Sequence, residues 1–135
     1  MRLAGDAGQV LTIDRSSFGE PGTPGDEDLF INVTVVVGGY SAADQVWVVG
    51  DDWRGFMNEL RKLEEVRKGQ ATLRGASPHD LELAFKTTDR TGHMAVLGFV
   101  GWNSPDGFYQ KCEFGFAFDA GLLSNIVREL AALEQ

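Results

Sequence analysis

The sequence predicts an α+β fold: an antiparallel sheet of about six to seven strands in two β-meander halves, each half followed by an amphipathic helix packed on the sheet. Three observations lead there. Apolar residues alternate with polar ones along several segments, the period of strands that bury one face. Consecutive segments of this kind are joined by short Gly- or Pro-containing turns, which allow hairpins but no crossover. An alternating apolar run, an Asp and a helix-spaced apolar pattern occur in that order twice. A chain of 135 residues fits one domain, 1–135. A domain of this size buries roughly two thirds of the surface its unfolded chain exposes.

The first strand signal is a weak one over Val10 to Asp14. Residues 16–28 follow, dense in Gly, Pro and acid, too polar to pack, and are read as a mobile loop. Leu29, Ile31, Val33, Val35 and Val37 then alternate without a break. Gly38-Gly39 supplies a turn that tolerates positive φ, and the chain returns from Tyr40 to Val49. Asp51 or Asp52 is read as the cap of a helix carrying Trp53, Phe56, Met57, Leu60 and Leu63. Gly55 lies inside it and costs about 1 kcal/mol against Ala, so this helix rests on packing. Gly69 ends the pattern, with Arg67 and Lys68 complementing the negative helix end.

The second half opens with a short strand at Ala71 to Arg74. Leu81, Leu83 and Phe85 alternate with Glu82, Ala84 and Lys86, Asp89-Arg90-Thr91-Gly92 turns, and His93 to Gly101 returns. Pro105-Asp106-Gly107 turns again into Phe108 to Phe118. Asp119 caps the last helix, which carries Leu122, Leu123, Ile126, Val127 and Leu130. Shifting the first helix by 70 residues sets Trp53 on Leu123, Phe56 on Ile126 and Leu60 on Leu130. A diverged duplication and two ordinary amphipathic helices both account for that match.

Charge narrows the classes of function. Twelve basic against twenty acidic residues give a net charge of −8. An acidic surface repels phosphate backbones, which argues against nucleic-acid binding, and steers a basic partner favourably. No apolar run approaches the roughly 20 residues of a membrane helix. One cysteine cannot form an internal disulfide, and no secretory signal is legible, which together point to the cytoplasm.

No motif carries a chemistry by itself. Cys112 falls in register with Phe108, Phe114, Phe116 and Phe118, where a free thiol behaves as a small hydrophobe. A dyad of Cys112 and His93 lacks an electropositive setting and a third orienting group. His79 and His93, with Asp80 and Asp89, match no metal-ligand spacing, and no glycine-rich phosphate loop or serine elbow occurs. The residues call for no catalytic group, metal or cofactor.

A resemblance supplies the functional lead. Gly39-Tyr40-Ser41-Ala42, the stretch Trp53 to Leu60, the Asp89 to His93 turn and the closing Asp119 to Leu133 helix resemble the WapI-like immunity protein group of small bacterial α+β proteins. The resemblance runs from about Leu29 onward and rests on packing, turn and capping motifs. It implies a non-enzymatic protein that binds and neutralises a cognate toxin, many such toxins being basic nucleases or deaminases. Charge placement then nominates Glu20, Asp26, Glu27, Asp28, Asp51, Asp52 and Asp106 as the contact surface. The alternatives are a small-ligand binding or sensing domain, with its pocket near Trp47, Trp53 and Trp102, and an enzyme using Cys112 or His93. The sequence assigns no oligomeric state.

Overall fold

The computed structural model describes residues 1–135 and holds eight strands and two α-helices. The first half is β1 (Arg2–Ala4), β2 (Val10–Phe18), β3 (Leu29–Val37), β4 (Tyr40–Val48) and α1 (Gly50–Val66). The second half is β5 (Gln70–Arg74), β6 (Leu81–Thr87), β7 (Met94–Asn103), β8 (Tyr109–Phe118), a 3-10 turn (Ala120–Leu122) and α2 (Leu123–Ala132). The α+β class, the two antiparallel meanders and the helix after each are as the sequence predicts. The hydrogen bonds form two four-stranded sheets, β1-β2-β3-β4 and β5-β6-β7-β8. The additional strand is β1, three residues that pair with Val10 to Thr12 and are too short to show a period.

Alternation decides which side of each sheet is buried. Leu29, Ile31, Val33 and Val35 of β3 face inward, as do Leu81, Leu83 and Phe85 of β6 and Phe114, Phe116 and Phe118 of β8. These residues join Trp53, Phe56, Met57, Leu60 and Leu63 of α1 and Leu123, Ile126 and Leu130 of α2 in one core cluster of 29 residues. β4 lies against β7 and β8, while α1 runs along β5 and packs on α2. Two backbone hydrogen bonds tie one sheet to the other half of the chain: Ala76 N–H donates to Trp47 C=O at 2.7 Å, and Asp6 N–H to Ala117 C=O at 3.0 Å.

The 70-residue offset carries further than the helices. Val46 and Val48 of β4 correspond to Phe116 and Phe118 of β8, and all four are buried. Asp119 corresponds to Val49, and here the halves part. Asp119 Oδ1 accepts from Gly121 N–H at 2.8 Å, a side-chain cap on the 3-10 turn that leads into α2. Val49 has no such side chain, and neither Asp51 nor Asp52 takes its place, because both already lie in the first turn of α1. The cap arrives instead from residue 28, described below.

Three sequence-based boundaries move. The connection read as residues 16–28 starts only at Gly19, since Ser17 and Phe18 pair with Phe30 and Leu29 across a bulge. α1 ends at Val66, and its C-cap Arg67 takes the left-handed conformation at φ 60° and donates its N–H to Leu63 C=O at 2.8 Å. Gly69, at φ 110°, follows that cap. Phe108 belongs to the turn before β8 and is exposed, so only Cys112 and the three later phenylalanines share the inward register.

Candidate functional site

The N-terminus of α1 meets the 19–28 connection and the C-terminal tail, and a cleft of about 380 Å³ opens between them. Phe18, Leu29 and Trp53 supply its apolar lining, and Asp26, Glu27, Arg54 and Glu134 its charged lining. Local folding explains how each arrives. Turn bonds from Thr23 N–H to Glu20 C=O, Asp26 N–H to Thr23 C=O and Asp28 N–H to Gly25 C=O coil the connection. Gly19 N–H donates to Asp28 C=O at 2.8 Å and closes its base. Trp53 is buried with its indole N–H donating to Glu134 Oε1 at 3.0 Å, so the tail is held against α1. Arg15 donates to Leu133 C=O at 2.8 Å while its guanidinium lies 3.9 Å from the centre of the Phe18 ring.

Arg54 is the electrostatic centre of this face. Its guanidinium donates to Glu27 Oε2 at 2.7 Å and to Asp51 Oδ1. Those two hydrogen bonds, Asp51 first, raise its pKa further above the ordinary arginine value. Asp51 and Asp52 also face the positive end of the helix dipole, which gives them a structural reason to be acidic.

Of the seven acidic residues nominated from sequence, the structure brings Glu27 and Asp51 onto Arg54, and Asp26 lines the same cleft. Glu20 stands in the same connection, and Asp52 beside Asp51. Asp28 is not a surface group. It is 7% exposed, with Oδ1 accepting from Gly50 N–H at 2.7 Å and Oδ2 from the Trp47 indole N–H at 2.8 Å. Its carboxylate therefore caps α1 from a distant part of the chain and is withdrawn from any contact role. Asp106 lies elsewhere, in the β7–β8 turn, where it accepts from the Ser104 hydroxyl. Arg54 and Glu134 were missed by sequence reasoning. The Asp51–Arg54 spacing of three signals an ion pair on one helix face, whereas nothing local connects Glu134 to Trp53.

The rival sites come apart. Trp47 is 47% exposed and stacks on Phe30, Trp53 is 1% exposed, and Trp102 is 49% exposed on the other sheet, so the three tryptophans line no common pocket. Cys112 pairs with Val100, seven residues along β7 from His93, which separates them by roughly 20 Å at strand rise. His93 Nδ1 lies 2.6 Å from Asp89 Oδ2. Hydrogen bonds from Thr91 and then His93 hold the Asp89 carboxyl well below the usual carboxylate range. No three His, Cys, Asp or Glu side chains gather as a metal site. No helix is long and apolar enough to cross a membrane.

A family model described as the immunity protein WapI-like family matches residues 2–135. No curated protein and no solved structure matches the chain.

Proposed function

The chain belongs to the immunity protein WapI-like family, and from that premise we propose that it binds and neutralises a cognate toxin in the cytoplasm without catalysing a reaction. The whole-chain family match carries the proposal. The acidic face around Arg54 supports a basic partner and supplies the contact surface: Glu20, Asp26, Glu27, Asp51 and Asp52. An inhibitor of this kind needs a rigid scaffold and a complementary surface. A partner carrying Lys or Arg can exchange its cations for Arg54 at Glu27 and Asp51, replacing one charge-assisted contact with another. Long-range attraction raises the association rate at low salt far above the neutral range of about 10⁵–10⁶ M⁻¹s⁻¹.

The test is co-expression with a basic toxin candidate from the neighbouring reading frame, followed by binding of the purified pair. Rescue of growth, and an affinity that weakens with salt, are the expected results. Glu27→Lys combined with Asp51→Lys should weaken binding by about a hundredfold, with most of the loss at low ionic strength. Asp106→Lys, placed in the β7–β8 turn, serves as the folded control. Failure to rescue overturns the immunity role, and unchanged affinity in the double variant overturns the assignment of the face.

One observation favours a second reading, in which a small molecule occupies the cleft: its volume lies within the usual range for such pockets. A metabolite that fills it raises the melting temperature of the free protein, and Trp53→Phe abolishes that rise. No shift across a broad metabolite panel removes the reading.

A further inference from the structure

The strands at the four sheet edges are not equally protected. β1 is three residues long, and β5 is covered by α1. β4 has its Trp47 carbonyl taken by Ala76 N–H, and its Gln45 N–H turned to Asp44 Oδ1 at 2.8 Å. β8 is a ten-residue edge. Ser104 N–H donates to Phe108 C=O at 2.8 Å and closes the β7–β8 hairpin. That bond sets the phase of the ladder. Gln110, Cys112, Phe114 and Phe116 exchange hydrogen bonds with β7, and the backbone groups of Tyr109, Lys111, Glu113, Gly115 and Ala117 point away. The bond from Asp6 N–H to Ala117 C=O agrees with this phase and occupies the last of them. The outward amides and carbonyls of Lys111, Glu113 and Gly115 have no backbone partner, the condition that invites another strand.

We propose that this edge pairs with the same edge of a second copy of the chain, joining two four-stranded sheets into one continuous antiparallel sheet of eight strands across a two-fold axis. Charge selects both the occupant and the register. Hydrogen bonding requires outward residues to face outward residues. Centring the axis on Lys111 or on Glu113 sets like charges directly opposite each other, which is unfavourable. Centring it on Cys112 sets each Lys111 against Glu113 of the second copy, twice. Within one chain Lys111 Nζ lies 2.7 Å from Glu113 Oε1 and 4.9 Å from the centre of the Phe99 ring of β7, so dimerisation exchanges this intrachain ion pair of each copy for two across the axis.

The remaining contacts fit that register. Tyr109, the bulkiest outward side chain of the edge, falls opposite Gly115, which offers no side chain to clash. On the inner face, the groove of about 340 Å³ beside Ala42, Asp44, Trp102 and Cys112 leaves room for the Cys112 side chain of the second copy. The two Cys112 residues form a non-hydrogen-bonded pair, whose Cα separation of about 4.5 Å suits a disulfide. That thiol pair reports the register and is not needed for association. An isologous contact of this kind closes on itself and stops at two.

Sedimentation across micromolar to millimolar protein should show a monomer–dimer equilibrium. Lys111→Glu or Glu113→Lys alone should weaken dimerisation by about tenfold or more, because attraction becomes repulsion at two places. The double swap of Lys111→Glu with Glu113→Lys should restore it, a recovery that general damage to the fold does not produce. Diamide, which takes up the electrons and protons of two thiols, should trap the dimer as a Cys112–Cys112 disulfide. A monomer throughout the range, single reversals that dimerise like the parent, a double swap that fails to recover, or a dimer that diamide does not trap each overturns the proposal.

Discussion

Asp28 shows how much one carboxylate organises. It holds the first amide of α1 and the indole of Trp47 at once, and it fixes the 19–28 connection against the helix. Asp28→Ala leaves the Gly50 amide buried without a partner and should cost about 2–3 kcal/mol, measured by urea denaturation. A loss below about 1 kcal/mol would mean that water replaces the carboxylate, contrary to the burial of the site. Asp44 gives the pH counterpart. Burial raises its pKa, the Gln45 N–H bond opposes that shift, and nearby Asp80 adds to it. The folded protein therefore holds this proton more tightly than the unfolded chain. Its unfavourable contribution is absent below the unfolded value near 3.9, grows as pH rises through the folded value, and is complete above it. Asp44→Asn keeps the acceptor for Gln45 and removes the charge. It should melt higher than the parent at neutral pH, with the advantage closing at acid pH; a gap that does not change with pH would refute the assignment.

At the scale of the element, α1 is a helix held by packing and by a distant cap rather than by its own sequence. Val49 offers no side-chain cap, and Gly55 weakens the interior, yet Trp53, Phe56, Met57, Leu60 and Leu63 are buried. A methyl group at Gly55 meets nothing within 4 Å. Gly55→Ala should therefore add about 1 kcal/mol of stability with no change in the contacts of the helix, read as a shift of the denaturation midpoint at constant slope. A loss would show that the acidic face needs the bare backbone there. These elements also mark what was legible. Long alternating runs such as Leu29 to Val37 declare themselves because one face must be buried. The Asp119 cap does so because its partner amide is two residues away. The Asp28 cap was not legible, since a bond across 22 residues leaves no local spacing. Asp51 and Asp52 drew the assignment because their position suits the helix dipole equally well.

For the whole molecule, composition revealed the acidity but not the face that carries it. Glu27, Asp51 and Arg54 meet only because the connection folds onto α1, and Glu134 joins them through a tail held by Trp53 and Arg15. The division into two sheets was hidden for a related reason. Each hairpin is set by a nearby turn, whereas the relation of β4 to β7 and β8 is set by core contacts between distant segments. That core nevertheless binds the halves together. Val46 and Val48 share one cluster with Phe85, Val96 and Phe116, and α1 of the first half lies on β5 and α2 of the second. Neither sheet keeps a covered inner face without the other, so opening one exposes most of the apolar surface of both. The slowest-exchanging amides of β3 and of β7 should then report the same opening free energy, equal to that of global unfolding from denaturant melts. Leu60→Ala, which cuts into the shared core from α1, should lower both by the same amount, about 3 kcal/mol. If β3 kept its protection while β7 lost its own, the sheets would be separate cooperative units, and the acidic face around Arg54 would rest on the first half alone.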